Sequence, residues 1–207
     1  MKPIMNDKKI VNSWALFDWA NSAYALVIST AIFPIYFTAN TPEIVHILGL
    51  EFTNSSLYTF AVSFSYIIIA FMSPILSGIA DYSGRKKYFL KIFTILGSLA
   101  CSALWFFDGA GTYWIGTLGF IIATIGFAGA LVFYNAYLPE IATEDQYDLV
   151  SAKGFAYGYV GSVILLIIIL FMISKHDMFG FPTEKTPIRI GFLFVGVWWL
   201  FFGFISF

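Results

Sequence analysis

Long apolar runs separated by short polar segments dominate the sequence. Each of six runs approaches the ~20 residues that an α-helix needs to cross ~30 Å of lipid hydrocarbon. Such continuous runs differ from the alternating pattern of barrel strands, and a helix satisfies its own backbone hydrogen bonds in lipid. The pattern therefore predicts an all-α polytopic membrane protein with six transmembrane helices. The predicted spans are about 14–38, 57–80, 88–107, 113–138, 155–173 and 190–207.

Composition and charge agree with this prediction and suggest an orientation. The chain is 59% hydrophobic and only 11% charged, with a mean hydropathy of +0.83. Because cations gather on the cytoplasmic side of membrane proteins, we expect a cytoplasmic segment at 1–13, a transmembrane domain at 14–207 and both termini inside. The expected location is the bacterial cytoplasmic (inner) membrane. The cytoplasmic cations would be Lys2, Lys8, Lys9, Arg85, Lys86, Lys87, Lys91 and Lys153, against Lys175, Lys185 and Arg189 outside.

Several classes of function find no support in the sequence. His46 and His176 lack neighbouring ligands at metal-binding spacing, so we expect no metal site. Nucleotide-binding loops, nucleophile elbows and paired-histidine helices are absent from the sequence, so we expect neither a cofactor nor enzymatic activity. Cys101 is the only cysteine, which excludes an intrachain disulfide. A net charge of −1, with the cations on one face, argues against nucleic-acid binding and favours contact with lipid headgroups.

Two patterns describe how the helices are expected to be organised. Gly154, Gly158 and Gly161 lie at i, i+4 and i+7 in the fifth span, a small-residue stripe that favours close helix packing in lipid. Segments 25–34 and 130–139 are identical at five of ten positions. They end the first and fourth spans, which run in opposite directions, as expected for the 3+3 inverted repeat of secondary transporters.

The ends of the last two spans also carry predictions. Thr143 to Gln146 has the pattern of a capping box, which predicts that the fifth helix starts there. The last apolar run reaches Phe207 without a polar anchor. Since natural spans commonly carry interfacial anchors, we expect the chain to be truncated at its C-terminus and to be the first part of a longer protein.

The loop between the second and third spans holds the densest group of charges. Asp81 is followed by a turn at Gly84 and by three cations starting at Arg85. The helix dipole disfavours a carboxylate at the C-terminal end of a helix, so Asp81 needs a donor. This predicts a conformational latch formed by Asp81, Gly84, Arg85 and Lys86. Glu140, an acid expected on the same face, either joins the latch or is simply solvated.

A second set of polar residues lies within the spans themselves. Polar side chains inside a membrane bundle either line a cavity or form interhelical hydrogen bonds. We favour a substrate path through a cavity, and interhelical hydrogen bonding stays open as the alternative. The candidates are Asp18, Asn21, Ser22 and Ser29 on the first span and Thr124 and Asn135 on the fourth.

Several of these segments resemble a known family. The four latch residues 81, 84, 85 and 86 match the signature loop between helices two and three of the major facilitator superfamily. Trp14–Ala23, Asn135–Ala142 and Val150–Ala156 resemble its branch called the unknown major facilitator family, which is related to vacuolar amino-acid effluxers. The resemblance implies a twelve-helix carrier, of which this chain would be the N-terminal half, with the first and fourth helices lining the central cavity.

The resemblance implies an expected function, which is secondary transport of a small solute by alternating access. Amino-acid-like solutes rank first among the candidate substrates, by resemblance alone. The expected partners are the lipid bilayer, the small-molecule solute, a coupling proton as one option, and either the missing C-terminal half or a second copy. The competing interpretation is a non-transporting truncated membrane fragment, or a packing partner for another membrane protein.

Overall fold

Six long helical segments build the protein. The computed structural model describes residues 4–47 and 49–207; residues 1–3, including Lys2, and Leu48 lie outside the described residues. Each segment covers one of the six apolar runs to within one residue, and the all-α membrane fold is confirmed. Spans 1 to 6 are Lys8–Asn40, Asn54–Tyr82, Lys86–Phe106, Tyr113–Ile141, Glu144–Ser174 and Lys185–Ser206.

Several spans combine more than one kind of helix. Span 1 contains a π-helix, a rare form that is often found at functional sites. In chain order the helices are α1 (Lys8–Ala23), the π-helix (Tyr24–Ile32), α2 (Phe33–Asn40), α3 (Asn54–Tyr82), α4 (Lys86–Ala103), a 3-10 helix (Leu104–Phe106), α5 (Tyr113–Asn135), α6 (Leu138–Ile141), a 3-10 helix (Glu144–Gln146), α7 (Tyr147–Ser174), a 3-10 helix (His176–Phe179) and α8 (Lys185–Ser206).

The first helix starts earlier than its apolar run. α1 begins at Lys8 because Asp7 caps it: the Asp7 carboxylate accepts hydrogen bonds from the backbone N–H groups of Lys9, at 2.8 Å, and Ile10, at 3.1 Å. An acid at this position also suits the positive end of the helix dipole. Residues 8–13 of the predicted N-terminal segment 1–13 are therefore helical.

The fifth helical span starts at Glu144 with Thr143 at its N-cap, as predicted, but the side-chain hydrogen bond of the predicted capping box does not form. The Thr143 hydroxyl accepts a hydrogen bond from the Asn6 side-chain amide at 2.9 Å, and the Thr143 N–H donates to Asn6 Oδ1 at 3.1 Å. Its side chain therefore caps no helix, and a 3-10 turn precedes α7. The tertiary contact with the N-terminal segment competes with the local cap and prevails.

A short β-hairpin is the departure from an all-helical chain among the described residues. β1 (Ile44–Ile47) pairs antiparallel with β2 (Leu50–Thr53) in the connection between spans 1 and 2. Gly49 in the turn has a φ of +79°, a conformation that glycine adopts without the steric cost of a side chain. The hairpin lies outside the helical spans and leaves the six-helix architecture unchanged.

The helix contacts follow the 3+3 arrangement. Span 1 packs on span 5, and the corresponding pair is span 4 on span 2. Span 3 packs on span 4, and the corresponding pair is span 6 on span 1. Span 3 also packs on span 6. Exchanging spans 1, 2 and 3 with spans 4, 5 and 6 maps this set of contacts onto itself. The repeated segments also share a feature, because Pro34 and Pro139 each lie in the first turn of a short final helix. These contacts agree with half of a major facilitator fold.

Spans 3 and 4 are in close backbone contact at a pair of glycines. A Cβ atom added at Gly126 would lie 2.6 Å from the Cα and N atoms of Gly97. Carbon atoms normally pack at about 3.5–4.0 Å, so only glycine fits at this contact. On its other side, Gly97 contacts the indole ring of Trp199, which is fully buried in the core.

Candidate functional site

A cavity lies where spans 1, 4 and 5 meet. It has a volume of about 180 Å³ and combines one acidic and two amide or hydroxyl side chains with an aromatic wall. Span 1 contributes to it from α1, span 4 from the end of α5, and span 5 from the start of α7. The lining side chains include Trp14, Asp18, Tyr134, Asn135, Ser151 and Phe155.

Asp18 is the acidic group of this cavity. Its side chain is 5% exposed, and its carboxylate accepts a hydrogen bond from the Ser22 hydroxyl at 2.8 Å. Among the residues that the structure describes, no lysine, arginine or histidine forms an ion pair with it. A Cβ atom at Gly158 would lie 2.5 Å from Ser22 Oγ and 3.0 Å from the Asp18 carboxyl carbon. The glycine stripe of span 5 therefore makes room for polar groups as well as for helix packing.

Two stacked aromatic rings form one wall of the cavity. The Trp14 and Tyr134 rings lie 4.2 Å apart, centroid to centroid, with 9° between their planes. The Trp14 indole N–H donates to the Tyr134 carbonyl oxygen at 3.0 Å, close to the end of α5, where this oxygen also accepts from the Tyr137 N–H at 3.2 Å. The Tyr134 hydroxyl is buried and has no hydrogen-bond partner in the described part of the chain. The wall is thus fixed in position but retains one unused polar group.

The remaining path candidates lie in different environments. Asn135 is exposed and lines the cavity, whereas Asn21 is fully buried and neither end of its amide has a partner within residues 4–47 and 49–207. Thr124 donates to a backbone carbonyl, so Tyr24, whose hydroxyl lies 2.6 Å from Thr124 Oγ1, is the donor between spans 1 and 4. Ser29 is half-buried. The structure therefore places Asp18 and Asn135 on one cavity, with Ser22 hydrogen-bonded to Asp18. Asn21 and Thr124 are buried elsewhere in the bundle.

The loop between spans 2 and 3 has the backbone that its glycine requires. Gly84 has a φ of +61°, in the left-handed region that favours glycine. Asp81 and Arg85 are both exposed, and across the described residues neither takes part in an ion pair. The Ser83 hydroxyl accepts from the Arg85 N–H at 3.1 Å, which closes the turn locally.

Lys86 is the loop cation that joins two spans. Its ammonium group donates to the Glu140 carboxylate and to the Ala136 carbonyl oxygen, both at 2.8 Å. Ala136 follows the last residue of α5, so Lys86 supplies a positive charge at the negative end of that helix. Glu140 lies in the first turn of α6, because span 4 continues as a short helix through Pro139 to Ile141.

Sequence reasoning missed a charged cluster at the opposite end of the bundle. Asp108 pairs with Lys185 at 3.3 Å and with Arg189 at 3.0 Å. The Arg189 guanidinium also lies 4.8 Å from the Trp105 ring and donates through Nε to the Trp105 carbonyl oxygen at 2.7 Å. These ion pairs connect the loop between spans 3 and 4 to the start of span 6. These residues lie about 80 positions apart in the sequence, so no local pattern could have paired them.

Comparison with known proteins identifies the family of this chain. The sequence pattern of the family described as "Vacuole effluxer Atg22 like" matches residues 6–207. The chain belongs to this family. The match covers nearly the whole Atg22-like chain, including the Asp18 cavity, the loop that carries Lys86 and the charged cluster at Asp108. The resemblance to major facilitator proteins related to vacuolar effluxers is confirmed.

The relatives of this Atg22-like chain include bacterial and fungal proteins. The protein described as "Uncharacterized MFS-type transporter YxiO" from Bacillus subtilis (strain 168) is 36% identical over 190 residues, which cover 91% of this chain and 43% of the relative. An uncharacterized protein from Aquifex aeolicus (strain VF5) is 26% identical, with 81% and 40% covered. Autophagy-related protein 22-2 from Aspergillus niger is 22% identical, with 81% and 38% covered.

The Atg22-like chain spans about two fifths of the length of these curated relatives: 43%, 40% and 38%. No solved structure matches it significantly. Its six apolar helices make it an integral membrane protein of a transporter family.

Proposed function

We propose that this chain forms one six-helix half of a secondary transporter that moves a small solute across the membrane by alternating access. Asp18 is the observation that carries the proposal. Its carboxylate is 5% exposed, lies within a membrane span and borders a cavity. Charged groups inside membrane-spanning helices are costly, and they commonly mark solute or ion pathways. Membership of an effluxer-like family, and a relative named as a transporter, support the same function.

The polar residues of spans 1 and 4 border the path in this proposal. Asp18 and Asn135 would contact the solute at the cavity, and Ser22 would hold the Asp18 carboxylate through its hydrogen bond. The π-helix that follows α1 supports a functional role for span 1, since such distortions are frequent at functional sites. The full set of path residues proposed is Asp18, Asn21, Ser22, Ser29, Thr124 and Asn135.

The loop residues would bias the protein between its inward-open and outward-open states. The Lys86 side chain is 12% exposed and that of Glu140 is 45% exposed, so this partly solvated pair is worth up to about 1 kcal/mol. A difference of this size is enough to shift the populations of two conformers several-fold. Asp81, Gly84 and Arg85 complete the proposed latch, in which the two exposed charges would pair with the other half of the carrier.

A second six-helix unit is the main partner in this proposal, because alternating access rocks two such units around a central site. Either a C-terminal half or a second copy of the chain would supply it. Span 2 offers large exposed aromatic side chains, including Tyr66, 59% exposed, and Phe71, 76% exposed, which lipid or that unit would cover. We further propose cytoplasmic termini in a bacterial inner membrane and an amino-acid-like solute, with a proton as one possible coupling ion.

Uptake into liposomes tests the proposal. The purified 207-residue chain is reconstituted, and uptake of a mixed amino-acid pool is followed together with a pH-sensitive dye inside the vesicles. We expect uptake that Asp18→Asn abolishes. The matched control is Asp148→Asn, which makes the same chemical change at an exposed position in the first turn of α7.

The outcomes separate the alternatives. Equal uptake by the wild-type protein and the Asp18→Asn variant would remove Asp18 from the path. An absence of uptake by a folded, helical chain would contradict a carrier formed by this chain alone and favour a non-transporting membrane unit. Circular dichroism of each reconstituted sample shows whether the helices are intact.

A further inference from the structure

The cavity at Asp18 contains a negative charge without a positive partner. The Asp18 carboxylate has the Ser22 hydroxyl as its hydrogen-bond donor, and no described cation forms an ion pair with it. Lys153 also lies on span 5, but its ammonium group donates to Asn12 Oδ1 instead. A carboxylate that is 5% exposed normally requires a compensating charge or several donors. A cationic ligand would therefore supply the positive charge that Asp18 lacks.

The walls of the cavity suit an organic cation better than an inorganic one. The stacked Trp14 and Tyr134 rings line the cavity together with the Phe155 and Leu138 side chains. Aromatic faces attract ammonium groups and pack against alkyl groups, whereas sodium requires several oxygen ligands in place of its water. The Tyr134 hydroxyl is buried against Gly154 inside the wall, so the Tyr134 ring contributes apolar surface to the cavity.

The size of the cavity sets a limit on the ligand. Its volume of about 180 Å³ is smaller than the ~300 Å³ at which pockets for drug-sized ligands begin. A primary ammonium group on a short alkyl chain would place its charge at Asp18 and its apolar part against the aromatic lining.

We propose that this cavity is a binding site for small organic ammonium ions, with Asp18 holding the charge and Trp14, Tyr134 and Phe155 holding the apolar part. This inference rests on the proposed function, because it identifies the chemical group of the solute that this half of the carrier recognises. An amino-acid-like solute would be bound here through its ammonium group, and its carboxylate would be bound elsewhere.

Equilibrium dialysis against radiolabelled n-butylammonium tests the site without requiring transport. The whole chain is placed in nanodiscs of zwitterionic lipid, which remove the general attraction of anionic headgroups for cations, and binding to empty nanodiscs is subtracted. We expect saturable binding at one site. Unlabelled n-butylammonium should compete, whereas n-butanol and Na⁺ at the same concentration should not.

The variants test the residues. Loss of a hydrogen bond to a charged group corresponds to a factor of roughly 10 to 100 in affinity, which is the weakening that we expect for Asp18→Asn. The control Asp148→Asn should bind as the wild type does.

The competition experiment on the wild-type chain keeps the proposal testable even if a variant fails to fold. Competition by n-butanol as strong as that by n-butylammonium would overturn the proposal, because the site would then not select charge. Equal competition by Na⁺ would identify an inorganic cation site instead, and no saturable binding would exclude the site. Saturable binding without uptake in liposomes would leave the ammonium site in place and contradict transport, so the two proposals fail separately.

Discussion

Gly126→Ala tests the close contact between spans 3 and 4. The added methyl group would lie 2.6 Å from the Cα and N atoms of Gly97 and 3.0 Å from the carbonyl oxygen of Phe93. These are backbone atoms, so no side chain can rotate away to make space. Because carbon atoms pack at about 3.5–4.0 Å, the two helices would have to separate by roughly 1 Å.

The magnitude follows from two opposing effects. Replacing glycine by alanine in a helix gains up to about 1 kcal/mol, because alanine has the higher helix propensity. Overpacking costs about 1–3 kcal/mol, and a gap of this size also forfeits part of the dispersion energy along the contact. Gly78→Ala isolates the first effect, since Gly78 lies in α3 and a Cβ atom there would have no neighbour within 4 Å. The two variants should therefore differ by about 1–3 kcal/mol, with Gly126→Ala the less stable.

Reversible unfolding in mixed detergent micelles measures this difference. Tryptophan fluorescence and far-ultraviolet circular dichroism follow the transition as sodium dodecyl sulfate is added, and coincidence of the two signals supports a two-state treatment. Equal stability of Gly126→Ala and Gly78→Ala would refute the close helix contact. A gain in stability for both variants would refute it equally.

Three further substitutions have expected outcomes. Lys86→Met removes the ion pair and the helix-end contact between spans 3 and 4 and should lower the free energy of unfolding by about 0.5–1.5 kcal/mol in the same detergent titration. Arg189→Lys keeps a positive charge but loses the stacking on Trp105 and should cost about 1–2 kcal/mol, which a thermal unfolding scan would show. Gly158→Ala should displace the hydroxyl that donates to Asp18 and reduce solute uptake roughly tenfold without loss of helix content; unchanged uptake would contradict that contact.

The six spans were predictable because lipid imposes them. A continuous apolar run of about twenty residues has few alternatives to a helix in a membrane, so local composition decides the architecture. The helix ends depend on less predictable contacts. Asp7 extends α1 toward the N-terminus through a local cap, whereas Thr143 has the right local pattern but binds Asn6, 137 residues away.

The candidate site was predictable only in part, because lipid makes its charge conspicuous in the sequence but tertiary contacts decide what surrounds that charge. The cost of a charge in lipid singles out Asp18 from the sequence alone. Its surroundings require knowledge of which helices touch, because Trp14 and Tyr134 stack across 120 residues of chain. Likewise, the sequence leaves open whether Glu140 joins the latch or is solvated, and only the fold shows that it pairs with Lys86, 54 residues away.

Chemical labelling of Asn135→Cys tests most directly whether the cavity beside Asp18 is open to water, as a solute path requires. The native Cys101 is buried and is replaced by alanine to give a cysteine-free background. Leu99→Cys is the matched control, because Leu99 is 59% exposed but lies on an apolar helix where lipid would cover it. With a membrane-impermeant maleimide applied to membranes that contain the protein, we predict rapid modification of Asn135→Cys and none of Leu99→Cys. Equal resistance of the two cysteines to the reagent would contradict a water-filled path at this site.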